Sequence, residues 1–324
     1  MTLNGSADNG ISWWRCQSDP FPFMRSLCLL LLIAFLTSTN PVLGQPQSAG
    51  VRPGEEEAPL TVVSTIWPLH LLATEVLGED GYSSALIDLN DSAHHFTLTP
   101  DDRMEIARAD VLVWIDPEFE VQLADLFDSS ATNKPVLRAT NLAEVSTRTY
   151  PDGMLDPHLW LDPGNGIVIA RAIAEILAEL VPQRADQFRS RALRLANALE
   201  ELRAPIATLG TMNSEPFFVY HDAFSYFEAV AGVTHSETLV DDPESEPSMR
   251  DLLNLRHQVG NLQPGCVMLE PDASGDLVAS VFQDQMPRKV VADVLGHNIV
   301  AAEGGYVALM RHVLTSFEEC LQGH

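Results

Sequence analysis

The chain has few lysines: among 19 basic residues only Lys134 and Lys289 are lysine, and the rest are arginine. Against them stand 45 acidic residues, which leaves a formal net charge of −26. So little positive charge excludes nucleic acid and anionic membrane surfaces as partners, because both would repel the average face of the protein. Long apolar runs are missing as well. The run from Leu27 to Leu36 spans ten residues, too few to cross about 30 Å of hydrocarbon. It follows Met24-Arg25 and precedes the small residues Val42 and Gly44, the pattern of an export signal with cleavage expected before Gln45. Residues 1 to 23 fit neither signal nor domain, so a start at Met24 stands beside Met1. Lipid attachment at Cys28 does not suit Leu27 before it or the long apolar run after it.

Cysteine is scarce, and the expected cleavage makes it scarcer. Of four cysteines, Cys16 and Cys28 leave with the leader, and Cys266 and Cys320 remain. An exported chain with two cysteines normally pairs them, closing a loop worth about 3–4 kcal/mol in chain entropy. The competing reading, a soft metal pair, requires more ligands than two distant cysteines supply.

What is present is an alternation of strand-like and helix-like segments across 324 residues, enough for two compact domains. Residues 1–44 read as an N-terminal extension with the signal peptide, and 45–59 as a Pro-, Gly- and Glu-rich tether. Strands are expected at 60–66, 84–87, 109–115 and 136–138, with helices opening at Pro68 and Pro100. Gly166 to Leu180 is amphipathic. A second helical run over 183–209 would make a rod of roughly 40 Å, suited to joining an N-terminal lobe (60–182) to a C-terminal lobe (210–324). In the second lobe strands are expected at 216–220, 238–240, 266–269 and 289–292, and helices at 247–262, 273–284 and 304–320. The fold class is therefore α/β, two βα halves with parallel sheets joined by a helix.

Ten histidines occur, and three have distinctive settings. His94 follows the second strand in Asp91-Ser92-Ala93-His94-His95-Phe96. His158 lies in Asp156-Pro157-His158-Leu159-Trp160-Leu161-Asp162-Pro163, ahead of the first long helix. His221 ends the strand at 217–220, in His221-Asp222-Ala223-Phe224. Ligands of open α/β folds gather outside the carboxyl ends of strands. The wide spacing excludes a zinc finger but suits a site assembled by tertiary structure. A lone histidine at a strand end is more often only a hydrogen-bonded loop residue. His70, His257 and His312 read as surface or core-edge residues on helices, while His235, His297 and His324 lie in loops or at the terminus.

Taken in order, these segments resemble the blocks of the cluster A-I metal-binding proteins of ABC importers, and within them the zinc-uptake branch. Cys266-Val267-Met268-Leu269-Glu270-Pro271 and Asp293-Val294-Leu295-Gly296 add later blocks, so the resemblance runs from about residue 60 to the C-terminus. It implies two lobes, each with a parallel four-stranded sheet, joined by a long rigid helix, with Zn²⁺ captured in the cleft and passed to a membrane permease. It further implies a periplasmic location, a monomer, metal ligands His94, His158 and His221, a completing carboxylate at Asp293, and a disulfide between Cys266 and Cys320. The first block departs from the family's Pro-His-Asp/Glu, which leaves Asp293, His95 or water as the fourth ligand. Glu144 to Leu155 contains no histidine, so the His-rich loop common in the zinc branch is absent.

Imidazole donors suit zinc, whereas manganese prefers carboxylate and water, and manganese-type relatives carry a glutamate where His221 stands. A manganese/iron-type binding protein is the nearest alternative. Three histidines with an open position also describe a catalytic zinc. A hydrolase, however, wants a base such as that of His-Glu-x-x-His, and none is present. A surface adhesin on the same fold would call for lipidation or an exposed apolar patch, and the sequence displays neither.

Overall fold

The computed structural model describes residues 58–89, 96–127, 133–212, 215–242 and 246–322. The expected leader, most of the tether, His94, His95 and His324 lie outside the described residues. In chain order the first half comprises β1 (Leu60–Ser64), α1 (Trp67–Leu77), β2 (Gly81–Ala85), α2 (Pro100–Arg108), β3 (Val111–Trp114), α3 (Ala124–Phe127) and β4 (Val136–Arg138). A short antiparallel hairpin follows, β5 (Arg148–Thr149) and β6 (Leu155–Asp156), then α4 (Pro163–Leu180) and α5 (Ala185–Thr208). The second half comprises β7 (Phe217–His221), α6 (Ser225–Ala231), β8 (Glu237–Val240), α7 (Met249–Leu262), β9 (Cys266–Leu269), α8 (Gly275–Phe282), β10 (Arg288–Val291) and α9 (Gly305–Leu321).

Each half builds one four-stranded parallel sheet, ordered β2-β1-β3-β4 and β10-β9-β7-β8. The central strands are buried on both faces, which is why they read as near-continuous apolar runs rather than alternating ones. In β7 the alternation decides which core each residue joins. Phe217 and Val219 face the large core shared with α5, α6 and α9, whereas Phe218 and Tyr220 face a second cluster under α7 and α8. Helix starts follow their caps. Thr99 and Asp102 form a reciprocal capping box on α2, Ser248 and Asp251 do so on α7, and Asp162 caps α4 with Pro163 in its first turn.

The 24-residue α5 is about 36 Å long. It buries Phe188, Leu195, Leu199 and Ile206, packing along α4 rather than standing free between the halves. α4 itself comes so close to Tyr306 of α9 that a Cβ on Gly166 would meet the Tyr306 hydroxyl oxygen at 2.5 Å. Directional bonds tie the halves together. The Trp160 indole N–H donates to Val294 O at 2.9 Å, Trp67 Nε1 to Ile299 O at 3.2 Å, and the Tyr306 hydroxyl to Trp160 O. Glu75 of α1 accepts the Tyr306 amide at the start of α9, and burial pushes its pKa up. Cys266 and Cys320 are disulfide-bonded across 54 residues, joining β9 to α9. Among the described residues no helix is long and apolar enough to cross a membrane.

Candidate metal centre

The β5–β6 hairpin delivers His158. Its turn, Tyr150-Pro151-Asp152-Gly153-Met154, closes through Tyr150 N to Met154 O at 2.8 Å and Gly153 N to Tyr150 O at 2.9 Å. Pro151 presets its own φ, Asp152 Oδ1 accepts the Met154 amide, and Gly153 takes a φ of +90° that a side chain would resist. Asp156 then ends the hairpin. Its Oδ1 accepts from the His158 amide at 3.0 Å and from His158 Nδ1 at 2.8 Å, while Oδ2 accepts from Ser225 Oγ of α6. Burial alone would raise the Asp156 pKa, but the His158 and Ser225 bonds outweigh it and hold the carboxyl below its usual range.

His221 arrives by a different route. It is the last residue of β7, at the carboxyl edge of the second sheet. The β7–β9 register pairs Val219 with Met268, so two residues further on Glu270 comes level with His221. There Glu270 Oε1 accepts from His221 Nδ1 at 2.5 Å. Burial pulls the His221 pKa down, but the charge and hydrogen bond of Glu270, with Asp222 and Asp156 adding, hold it above the ordinary value.

The two rings are each 2% exposed, and their Nε2 atoms face each other at 3.2 Å. With each Nδ1 proton committed to a carboxylate, both Nε2 atoms present lone pairs, and two lone pairs at that distance repel unless a cation or a proton lies between them. Two imidazole nitrogens on a tetrahedral zinc, with Zn–N of about 2.0–2.1 Å, stand roughly 3.3 Å apart. The pair therefore fits zinc, and the two carboxylates are the outer partners that fix ring tautomer and orientation at metal sites.

Asp293 follows β10 and is 5% exposed. Its Oδ1 accepts from Gly296 N at 2.8 Å and His297 Nδ1 at 2.7 Å, and its amide donates to His312 Nε2 at 3.0 Å. The Trp160–Val294 bond ties this segment to that of His158, whose ring centroid lies 5.2 Å from that of Trp160. Among the described residues no group of three or more His, Cys, Asp or Glu closes on one point. The structure thus brings His158 and His221 together and leaves Asp293 engaged with its own loop.

The remaining histidines divide by environment. His70 is buried, bonds Ser83 Oγ at 2.9 Å, and is pushed down to a pKa of about 4 by burial, so of the surface and core-edge readings it takes the inner one. His257 is exposed, and His235 bonds Glu228. Sequence reasoning missed the orienting roles of Asp156 and Glu270, although both stood inside the quoted blocks. It also passed over Tyr150, whose hydroxyl lies 3.3 Å from His158 Nδ1 and donates to Asp222 O at 3.2 Å.

Two parallel-sheet halves, with His158 and His221 brought together between them, define a two-lobed α/β architecture. The family model matching residues 62–320 is that of the zinc-uptake complex component A, periplasmic, and the chain belongs to that family. It is 27% identical over 312 residues to the high-affinity zinc uptake system protein ZnuA of Brucella abortus (strain 2308), covering 83% of this chain and 92% of that one. The fold is shared with the laminin-binding protein Lmb of Streptococcus agalactiae, described as bifunctional, with adhesin and metal transporting activity. The TM-score is 0.71 at 22% identity, over 82% of this chain and 100% of that one. It is shared equally with the periplasmic zinc binding protein TroA of Treponema pallidum, with a TM-score of 0.71 at 18% identity and the same coverage. The family's members are zinc-binding transport proteins, not enzymes.

Proposed function

We propose that the chain is the periplasmic solute-binding subunit of an ABC importer, which captures one Zn²⁺ between its two lobes and delivers it to a membrane permease. Zinc is the cargo here and not a cofactor. The observation that carries this reading is the pair of Nε2 atoms 3.2 Å apart, each ring anchored through Nδ1 to a carboxylate. Family membership over residues 62–320 supports the transport role. His94 supplies the third imidazole in this reading, and Asp293 or water completes the tetrahedron. Three imidazole donors favour zinc over manganese. The chain is exported by a signal peptide removed before Gln45 and acts as a monomer.

Calorimetric zinc titration of the mature chain tests the site. The parent is expected to bind one ion, and a free zinc level a thousandfold above Kd should stabilise it by about 4 kcal/mol. His94→Ala, His158→Ala and His221→Ala should each erase most of that thermal shift, and Asp293→Ala should cost less because water can take its place. The exposed His257→Ala is the neutral control. His312 cannot serve as one, since its ring accepts the Asp293 amide. Parent-like zinc affinity in His221→Ala would remove the site.

A further inference from the structure

We propose that Tyr150 is a positioning residue of the ion site, coupling the ring of His158 to the main chain beside His221 and thereby lengthening the residence time of the bound ion. The proposal rests on the zinc-site reading above. One hydroxyl touches both ligand segments: it donates to the carbonyl of Asp222, the residue after His221, at 3.2 Å, and lies 3.3 Å from His158 Nδ1. A tyrosine has a single hydroxyl proton. With that proton on Asp222 O, the oxygen accepts from His158 Nδ1–H, beside the acceptor Asp156 Oδ1. Both acceptors select the tautomer that turns the Nε2 lone pair towards His221.

The hairpin bearing Tyr150 is itself fastened to the second half. The Arg148 amide donates to the Tyr226 hydroxyl at 2.7 Å, which donates to Asp156 O at 2.9 Å, and Ser225 Oγ bonds the Asp156 carboxylate. Ser225 and Tyr226 both belong to α6, four and five residues past His221. Releasing the ion requires His158 and His221 to separate, and while the Tyr150 hydroxyl spans them that separation breaks its bonds too. The bridge therefore acts on escape more than on entry.

The test uses the full mature chain and Zn²⁺ alone, with dissociation followed by stopped flow into excess chelator and association measured separately. Tyr150→Phe removes only the hydroxyl. It is expected to speed dissociation roughly tenfold, the lower end of what outer partners of metal ligands contribute. Association should stay within about twofold and the melting point of the metal-free protein should stay put. Thr149→Ala, exposed on the same hairpin, is expected to behave as the parent. Parent-like dissociation in Tyr150→Phe, while His221→Ala has lost zinc binding, overturns the bridge and leaves the site intact. A lowered metal-free melting point with unchanged dissociation assigns Tyr150 to the fold alone and also overturns it. If the parent binds no zinc, the site reading fails and the bridge falls with it.

Discussion

His158 takes its orienting carboxylate from two residues upstream, whereas His221 takes its own from a neighbouring strand 49 residues away. The first arrangement is local: a proline-containing turn wraps Asp156 Oδ1 around both the amide and the ring of His158. The second exists only because β7 and β9 are paired in one register. Both leave the same product, a buried ring with Nε2 presented. The difference lies in what else each carboxylate holds. Asp156 also accepts Ser225 Oγ and helps fasten the hairpin to α6, while Glu270, one residue past β9, meets the His221 ring.

Removing either carboxylate should break ion binding, and this is the largest effect expected. Asp156→Ala and Glu270→Ala should each weaken zinc by about 10–100-fold, the usual cost of losing an outer partner of a ligating histidine, as measured by competition with a chromophoric chelator. If either variant bound like the parent, its carboxylate would not be orienting a ligand.

Stability of the metal-free protein separates the two. Asp156→Ala deletes three hydrogen bonds to an ionised group and should cost about 2–4 kcal/mol, a fall of several degrees in melting point for a chain of this size. Glu270→Gln keeps the shape beside His221 and should stay within about 1 kcal/mol of the parent. Equal losses in the two variants would show that the local and the long-range anchor serve the fold alike.

The same contrast explains what was legible in the sequence. The strand–helix alternation placed seven of the eight strands of the two sheets within about two residues, because buried parallel strands leave apolar runs; β2, expected at 84–87, runs Gly81–Ala85, a half-exposed edge strand with no apolar run. Pro100 after Thr99 and Asp102 at the third helical position are local signals, and the start of α2 follows them. His158 and Asp156 were adjacent in one block, so their partnership was readable in principle from spacing alone. Glu270 was not, since nothing in its own neighbourhood says which strand lies beside β9. The hairpin was missed because two-residue strands carry no periodicity, though Pro151-Asp152-Gly153 was a turn signal. Of the two readings open for His70, surface or core edge, the structure takes the inner one, because α1 is buried nearly all round. His94 came from resemblance and stays a proposal.

The smallest effect is a shift of pH dependence, and it discriminates most finely. Zinc needs His221 deprotonated, so affinity falls as pH drops through the His221 pKa. In the parent that pKa is raised, because Glu270 with its charge and hydrogen bond outweighs burial, so the fall begins above the ordinary value of about 6.5. A raised pKa also means that the His221–Glu270 pair stabilises the metal-free fold fully below the unfolded-state value and loses that contribution as pH rises through the folded one. The zinc-induced thermal shift should therefore shrink with acidification, because a proton on His221 stabilises the metal-free fold and by the same amount weakens the apparent zinc affinity. Glu270→Gln removes the charge, burial then prevails, and the acid fall in affinity should begin at lower pH. Its affinity deficit should accordingly be smaller at pH 6 than at pH 8. Tyr150→Phe leaves Glu270 in place, so its dissociation defect should stay constant over the same range. Zinc titrations of the three proteins from pH 5.5 to 8.5 read this directly. An unmoved profile in Glu270→Gln would mean that the strand-borne carboxylate does not set the protonation of His221.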